Sequence, residues 1–173
     1  MIDGETLRAM QAPLKDRYRD EPDAAVVTLR ATGSIGLDDV TCSVETSKAM
    51  IRAGLHPATG GDGLAACSGD MLLEALVACA GVTLNAVASA LGIALKDGAI
   101  TAEGDLDFRG TLGIDRDTPV GFRSIRLGFT LDTDADDDTL DRLMKLTERY
   151  CVIFQTLTSP PAIEVSRTST PAG

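Results

Sequence analysis

A chain of 173 residues with 44% hydrophobic content can bury a core of ordinary size, as one domain or as two small ones closely joined. Its formal charge of −10 repels phosphate backbones and anionic membrane surfaces, and with 3% aromatic residues and no Trp it has few groups for stacking on bases. Four cysteines and one histidine form no CxxC pair and match no structural zinc spacing, so the counts point away from nucleic acid, membrane and metal alike.

Residues 1–23 alternate charge with short apolar side chains and read as an N-terminal arm, with helical stretches over 5–10 and 14–18 ended by Pro22. The basic-then-apolar order of a signal peptide is missing, which predicts a cytoplasmic protein. From residue 24 the period becomes two. Val27, Leu29 and Ala31 alternate with Thr28, Arg30 and Thr32, a half-exposed strand with a glycine turn after it at 33–36. A second strand over 40–46 pairs back as a hairpin, with Cys42 in register with Val40 and Val44 as a small apolar inner residue. Residues 48–55 either extend the hairpin or form a helical turn. Gly60, Gly61 and Gly63 around Asp62 then mark a loop. It lacks both the phosphate-loop lysine and the GxGxxG spacing, so it is read as a turn into the next helix, with His56 anchoring the loop or facing a pocket.

The stretch 68–92 is the longest apolar run. Between 71 and 91 it has no proline, one glycine (Gly81) and six alanines, and its hydrophobic residues fall on every side of a 3.6-residue helix, which predicts a helix buried all round. Ser68 or Asp70 can cap its start and Gly92 ends it. Glu74 and Asn85 interrupt the run, so a core helix is expected, not a membrane span. Cys79 lies at its middle, with Leu72, Ala75, Leu76, Thr83 and Ala86 at helical spacings from it. Ala78, Gly81, Asn85 and Ala88 form another face, small enough for a second helix or a symmetry mate to approach closely.

Strand alternation returns over 100–109 through Ile100, Ala102, Leu106 and Phe108, with Gly104 as a candidate bulge. A wide turn leads to a partner strand over 122–132, and so short a connection predicts antiparallel pairing. Acids over 133–138 open a second helix and Lys145 and Arg149 lie toward its end, as the helix dipole favours; the glycine and distal glutamate of a calcium loop are absent. Leu140, Leu143, Met144, Thr147, Tyr150, Cys151 and Phe154 recur at three and four, placing Cys151 on or just beyond the buried face. Pro160 and Pro161 break the chain, 162–167 can add a last strand, and 168–173 form a polar tail. The order is α+β: antiparallel sheets around a long buried central helix in one domain over 24–167, its hairpin part at 24–66 and its helix and sheet part at 67–167.

Two cysteines on the apolar faces of the two principal helices are permitted by packing and not required by it. A thiol is nucleophilic only as thiolate, so a reactive Cys79 needs a cation or a donor from elsewhere. Arg30, Arg52 and Arg149 are candidates, with Asp70 or Glu74 available to pair such an arginine.

The segment SGDMLLEALVACAGVTLNAVASALGI resembles the central-helix motif of the OsmC/Ohr family, in which a Ser/Asn-Pro-x-Glu-Leu-Leu opening precedes Ala-Cys and Thr-Leu. KLTERYCVIFQTL resembles that family's second-cysteine segment, and the likeness extends over roughly residues 26–165. It implies an intertwined homodimer and a thiol peroxidase for organic hydroperoxides. In that role Cys79 matches the peroxidatic cysteine and Cys151 the resolving one. It implies a small apolar hydroperoxide as substrate, an external dithiol as reductant and no cofactor. Three departures mark a divergent branch. The acid at the helix start is Asp70, one methylene short. The hairpin arginine has Ile35 in its place, leaving Arg30 as a substitute. The common Cys-Pro is Cys151-Val152. The competing reading is a non-enzymatic OsmC-like protein that binds a small apolar ligand or senses redox state, with structural thiols and Cys67 as an alternative disulfide partner.

Overall fold

In the computed structural model the described residues are 4–6, 9, 11–12, 20, 32–35, 41–45 and 50–168. The described positions in the N-terminal arm are helical; Arg30 and the expected strand over 24–31 lie outside the described residues. A four-stranded sheet is built from β1 (Thr32–Ile35), β2 (Thr41–Glu45), β3 (Met50–Gly54) and β4 (Ala66–Cys67) in that order. The expected hairpin is β1 on β2, with Ile35 opposite Cys42, so Gly33 lies within the strand and not in its turn. Residues left open between strand and helical turn become β3, antiparallel to β2, and β4 then joins β3 in parallel.

Helix α1 (Ser68–Leu91) follows β4 without a loop. Cys67, not Ser68 or Asp70, is its N-cap residue, and its side chain makes no capping hydrogen bond; Asp70 is the acid of the first turn. Gly92 ends the helix at φ 71°, the left-handed conformation that glycine adopts without strain, and its N–H donates to the Ala88 carbonyl. The helix is long and apolar enough to cross a bilayer, yet it is the core helix of the fold: Leu76, Ala80, Leu84, Val87 and Ala88 are buried along one stripe. Burial on all sides is not reached within the chain. Ala75, Ala78 and Asn85 are exposed, and Val82 is 72% exposed.

The antiparallel ribbon of β5 (Leu95–Leu106) and β6 (Phe122–Thr133) packs against α1. Ile100 and Ala102 stand opposite Phe129 and Leu127, while on the solvent face Glu103 stands opposite Arg126 and Asp105 opposite Ser124. Register shifts fall at Leu95/Asp97 and Asp105/Leu106, not at Gly104. The absent side chain of Gly104 has a packing reason: a Cβ there would lie 2.4 Å from the Phe122 ring.

A short helix α2 (Phe108–Thr111) opens the turn between these strands. Helix α3 (Asp137–Tyr150) starts at Asp136, whose carboxylate accepts the Thr139 N–H at 2.9 Å, as the acid run predicts. Leu143 is fully buried against Leu84, Val87, Ala88 and Ile93, which join α1 to α3 in the main core. The helix does not continue through Cys151. That residue is extended, at φ −73° and ψ 109°, and α4 (Val152–Thr158) starts just after it. The expected strand over 162–167 does not form: these residues have no regular structure, and Ile163 and Val165 are 85% and 91% exposed. A strand pattern without a partner strand cannot satisfy its backbone by pairing.

Candidate active site

Cys79 meets Cys151 because α1 packs across both α3 and α4, and the thiol at the middle of α1 faces the junction between them. Cys151 closes one helix and opens the next. Its N–H donates to the Thr147 carbonyl at 2.9 Å, and its own carbonyl accepts from the Gln155 N–H at 2.9 Å. The residue is 1% exposed, and Cys79 is partly exposed. Thr147, buried beneath the junction, satisfies its hydroxyl on the Leu143 carbonyl at 2.8 Å.

The two sulfurs have opposite electrostatic surroundings. Burial pushes the Cys79 thiol up, but it is outweighed by the Ile153 N–H, the Cys151 thiol, the Val152 N–H and the Thr83 hydroxyl, all of which favour the thiolate. Together they hold Cys79 below the ordinary thiol value. Burial also pushes Cys151 up; the Phe154 N–H opposes this, while the hydrogen bond to Cys79 and the charge on it raise Cys151 further, and the net direction is upward. The arrangement favours the thiolate at Cys79 and the neutral thiol at Cys151, with the Cys151 S–H as a donor to the Cys79 sulfur. Because α4 begins at Val152, its first N–H groups have no intrahelical acceptor and are free to face that sulfur.

A groove of about 400 Å³ is lined by the apolar side chains of Leu76, Phe122, Ile125, Leu127, Phe154 and Leu157 and by Arg123, Ser124 and Thr158; neither cysteine is in its lining. Leu76 is one turn from Cys79 and Phe154 one turn from Cys151.

The structure separates the other expected site residues from this pair. Asp70 and Glu74 precede Cys79 by nine and five residues, about 13 Å and 7 Å along the helix, and helical rotation turns both away from its face. Both are exposed, line a hollow with Leu73, Val77, Ala78 and Ala102, and form no ion pair among the described residues. His56 lies at the N-terminal end of α1, in a cavity with Cys67 and Asp70. Arg52 belongs to β3, Arg149 lies over the Tyr150 ring at 5.6 Å, and Arg30 is outside the described residues. The leading groups that stabilise the Cys79 thiolate are peptide N–H groups, a thiol and a hydroxyl, with no arginine among them. Among the described residues no three His, Cys, Asp or Glu side chains are grouped to hold a metal ion. Helical spacing puts Thr83 on the Cys79 face, and its hydroxyl is a donor that periodicity does not reveal. Val152 and Ile153 left no signal to find, since their contribution comes from the backbone.

A family model described as OsmC-like protein matches residues 60–166 of this chain. Among solved structures, the chain is similar to an OsmC-like protein from Mycoplasma pneumoniae, with a TM-score of 0.64 and 18% identity, covering 78% of this chain and 89% of that one. It is similar to an organic hydroperoxide resistance protein from Elizabethkingia anophelis, with a TM-score of 0.63 and 14% identity over 79% of this chain and 91% of that one. A third, an organic hydroperoxide resistance protein from Legionella pneumophila, has a TM-score of 0.59 and 21% identity over 78% and 92%. No curated protein sequence matches the chain.

Proposed function

Since this chain belongs to the OsmC-like protein family, we propose that it is a thiol-dependent peroxidase that reduces organic hydroperoxides through a Cys79 sulfenic acid resolved by Cys151. The observation that supports this reading is the contact between two thiols whose acidities are pushed apart, one toward thiolate and the other toward thiol. The Cys79 thiolate attacks the distal peroxide oxygen, the O–O bond breaks, and the leaving alkoxide takes a proton to depart as the alcohol. Cys79 is left as the sulfenic acid. The Cys151 sulfur then attacks the Cys79 sulfur; the S–S bond forms and the hydroxyl leaves with the Cys151 proton as water. An external dithiol reopens the disulfide, and no cofactor enters the cycle. The groove between α1, α4 and β6 offers the organic body of the peroxide the apolar side chains of Leu76, Phe122, Ile125, Leu127, Phe154 and Leu157. Two of the structural neighbours are named for resistance to organic hydroperoxides, which agrees with this reading.

The working form we infer is a cytoplasmic, intertwined homodimer of a single domain over 24–167, flanked by the arm 1–23 and the tail 168–173. Ala78 and Asn85 of α1 and the strand-patterned, unpaired residues 162–167 are surfaces a second copy would cover, while Gly81 and Ala88 of the small-residue stripe already pack within the chain, on Ile100 and in the core. Asp70 and Glu74 lie toward that open side and would serve a partner's thiol rather than their own, and Arg30 would be their cation.

Thiol counting after one equivalent of cumene hydroperoxide tests the chemistry. Two thiols are expected to disappear, and Cys79→Ser is expected to prevent it. Four thiols remaining in the native chain would overturn the peroxidase and leave a binding protein with structural cysteines. Cys151→Ser is expected to stop at the sulfenic acid or to over-oxidise, and unaffected turnover would remove Cys151 from the resolving role.

A further inference from the structure

The peroxidase cycle leaves one proton without a source. When the Cys79 thiolate takes the terminal peroxide oxygen, the electron pair of the O–O bond departs on an alkoxide, a strong base, and the barrier falls if a proton reaches that oxygen as the bond breaks. The four leading donors to the Cys79 sulfur are the Ile153 and Val152 N–H groups, the Cys151 thiol and the Thr83 hydroxyl. The two peptide groups can stabilise charge but cannot release a proton. The Cys151 proton is needed later, on the hydroxyl that leaves when the disulfide forms, and at 1% exposure this thiol cannot be refilled from solvent. Cys67 is twelve residues from Cys79 along α1, about 18 Å, so within one chain it can neither pair with these thiols nor supply the proton.

Thr83 remains. It lies one turn beyond Cys79 on the same face of α1, the spacing that brings two helical side chains together, and it is half-buried, within range of both the sulfur and solvent. Its hydroxyl is also held differently from those of other helical threonines. Thr147, Thr156 and Thr158 donate to the carbonyl four residues back at 2.8, 2.8 and 3.0 Å, whereas the Thr83 hydroxyl is turned to the Cys79 sulfur.

We propose that Thr83 is the proton relay of the peroxide step: its hydroxyl delivers a proton to the leaving alkoxide oxygen and takes one from water in the same movement. This rests on the peroxidase reading and adds the group that lets a basic leaving group depart. The thiolate electron pair forms the sulfur–oxygen bond, the O–O bond breaks, and sulfur is oxidised to the sulfenic acid as the peroxide is reduced to alcohol. The Thr83 O–H breaks as the alcohol O–H forms; a water molecule restores the hydroxyl and is left as hydroxide. The Cys151 proton stays in place for the second step. As charge leaves the sulfur, the Thr83 hydroxyl loses its acceptor there and is freed for the neighbouring alkoxide oxygen. Such a relay serves alkyl hydroperoxides, whose alkoxides are strong bases. Peroxy acids, which leave as stable carboxylates, do not need it.

The test compares Thr83→Val, which keeps the branched shape and loses the hydroxyl, with Thr83→Ser, which keeps the hydroxyl. Initial rates of Cys79 modification are read by quenching and mass spectrometry in the full-length reduced chain, with cumene hydroperoxide, peracetic acid and iodoacetamide. Loss of the hydrogen bond to the thiolate acts on all three reagents and is expected to slow peracetic acid and iodoacetamide in Thr83→Val by about threefold or less, since a more basic thiolate is more nucleophilic. Loss of the relay is expected to slow cumene hydroperoxide by about a hundredfold, the lower end of general acid catalysis. Thr83→Ser is expected to recover most of that loss. Equal slowing of cumene hydroperoxide and peracetic acid in Thr83→Val, no slowing of either, or a serine variant no faster than the valine one would overturn the relay while the native chain still reacts with the hydroperoxide. A native Cys79 inert to cumene hydroperoxide would remove the peroxidase and the relay together.

Discussion

Replacing Cys151 by Ala removes the S–H that donates to Cys79, whereas Cys151→Ser keeps an O–H in its place. A hydrogen bond to a charged group contributes ~1.5–3 kcal/mol. Cys79 is partly exposed, so solvent weakens the bond and the lower end, about 1.5 kcal/mol, is the better guide. That loss corresponds to about a tenfold fall in the thiolate-to-thiol ratio, since 1.36 kcal/mol is a factor of ten. The more basic thiolate that remains is intrinsically about threefold more nucleophilic, because the Brønsted coefficient is ~0.4–0.5. The net expectation for Cys151→Ala is a roughly threefold slower alkylation of Cys79 by iodoacetamide on the rising limb of the pH profile, with a faster plateau at high pH. The sign follows from the direction of the shift: native Cys79 lies below the ordinary thiol value, so its rate climbs and levels off at lower pH than a free thiol's, and the alanine variant climbs later. Cys151→Ser should keep most of the native profile. Alkylation read at residue level from pH 5 to 10 decides the matter. A profile unchanged in Cys151→Ala, or a serine variant indistinguishable from the alanine one, would refute the shared hydrogen bond.

Leu143→Ala deletes a fully buried side chain where α3 meets α1. We expect a loss of about 3 kcal/mol or more in urea unfolding, within the usual range for such cavities; a loss below about 1 kcal/mol would show that this contact is not the centre of the core. Gly104→Ala drives a methyl into the Phe122 ring at 2.4 Å and should cost ~1–3 kcal/mol by overpacking. Phe122→Leu in the same chain should recover part of that loss, and strictly additive effects in the double-mutant cycle would mean that the two positions do not touch.

The elements with a strong local period were legible in the sequence. Helix α1, the β5 and β6 ribbon and the capped start of α3 each come from patterns within a few turns or one strand pair. What was not legible depended on a partner distant in sequence. Residues 162–167 have the alternation of a strand through Ile163 and Val165, yet they pair with no strand among the described residues and stay exposed. The helical period through Tyr150, Cys151 and Phe154 also concealed the break at Cys151, because no glycine or proline marks it. The meeting of Cys79 with Cys151 came from the family resemblance and not from periodicity, which ranks two residues on apolar faces equally as packing or chemistry. The cation or donor expected beside Cys79 is met by four donors and no arginine, and the two that come from the backbone, at Val152 and Ile153, carry no mark in the sequence.

That difference explains why the thiolate is favoured at Cys79 and not at Cys151. A cysteine in the middle of a helix has no help from the peptide groups of its own segment, because each N–H nearby already donates to a carbonyl four residues back. Its thiolate must be stabilised by a second element that starts beside it. The break at Cys151 supplies such a start: α3 ends at Tyr150, α4 begins at Val152, and the first unpaired N–H groups of α4 meet the sulfur from α1. Cys151 pays for its place at this junction. It is almost wholly buried, its own N–H is committed to Thr147, and the negative charge it would need is already on its neighbour. Two chemically identical side chains thus acquire opposite tendencies from one interruption of a helix. A substitution that healed the break would remove the donors from Cys79 and disturb the placement of Cys151 together.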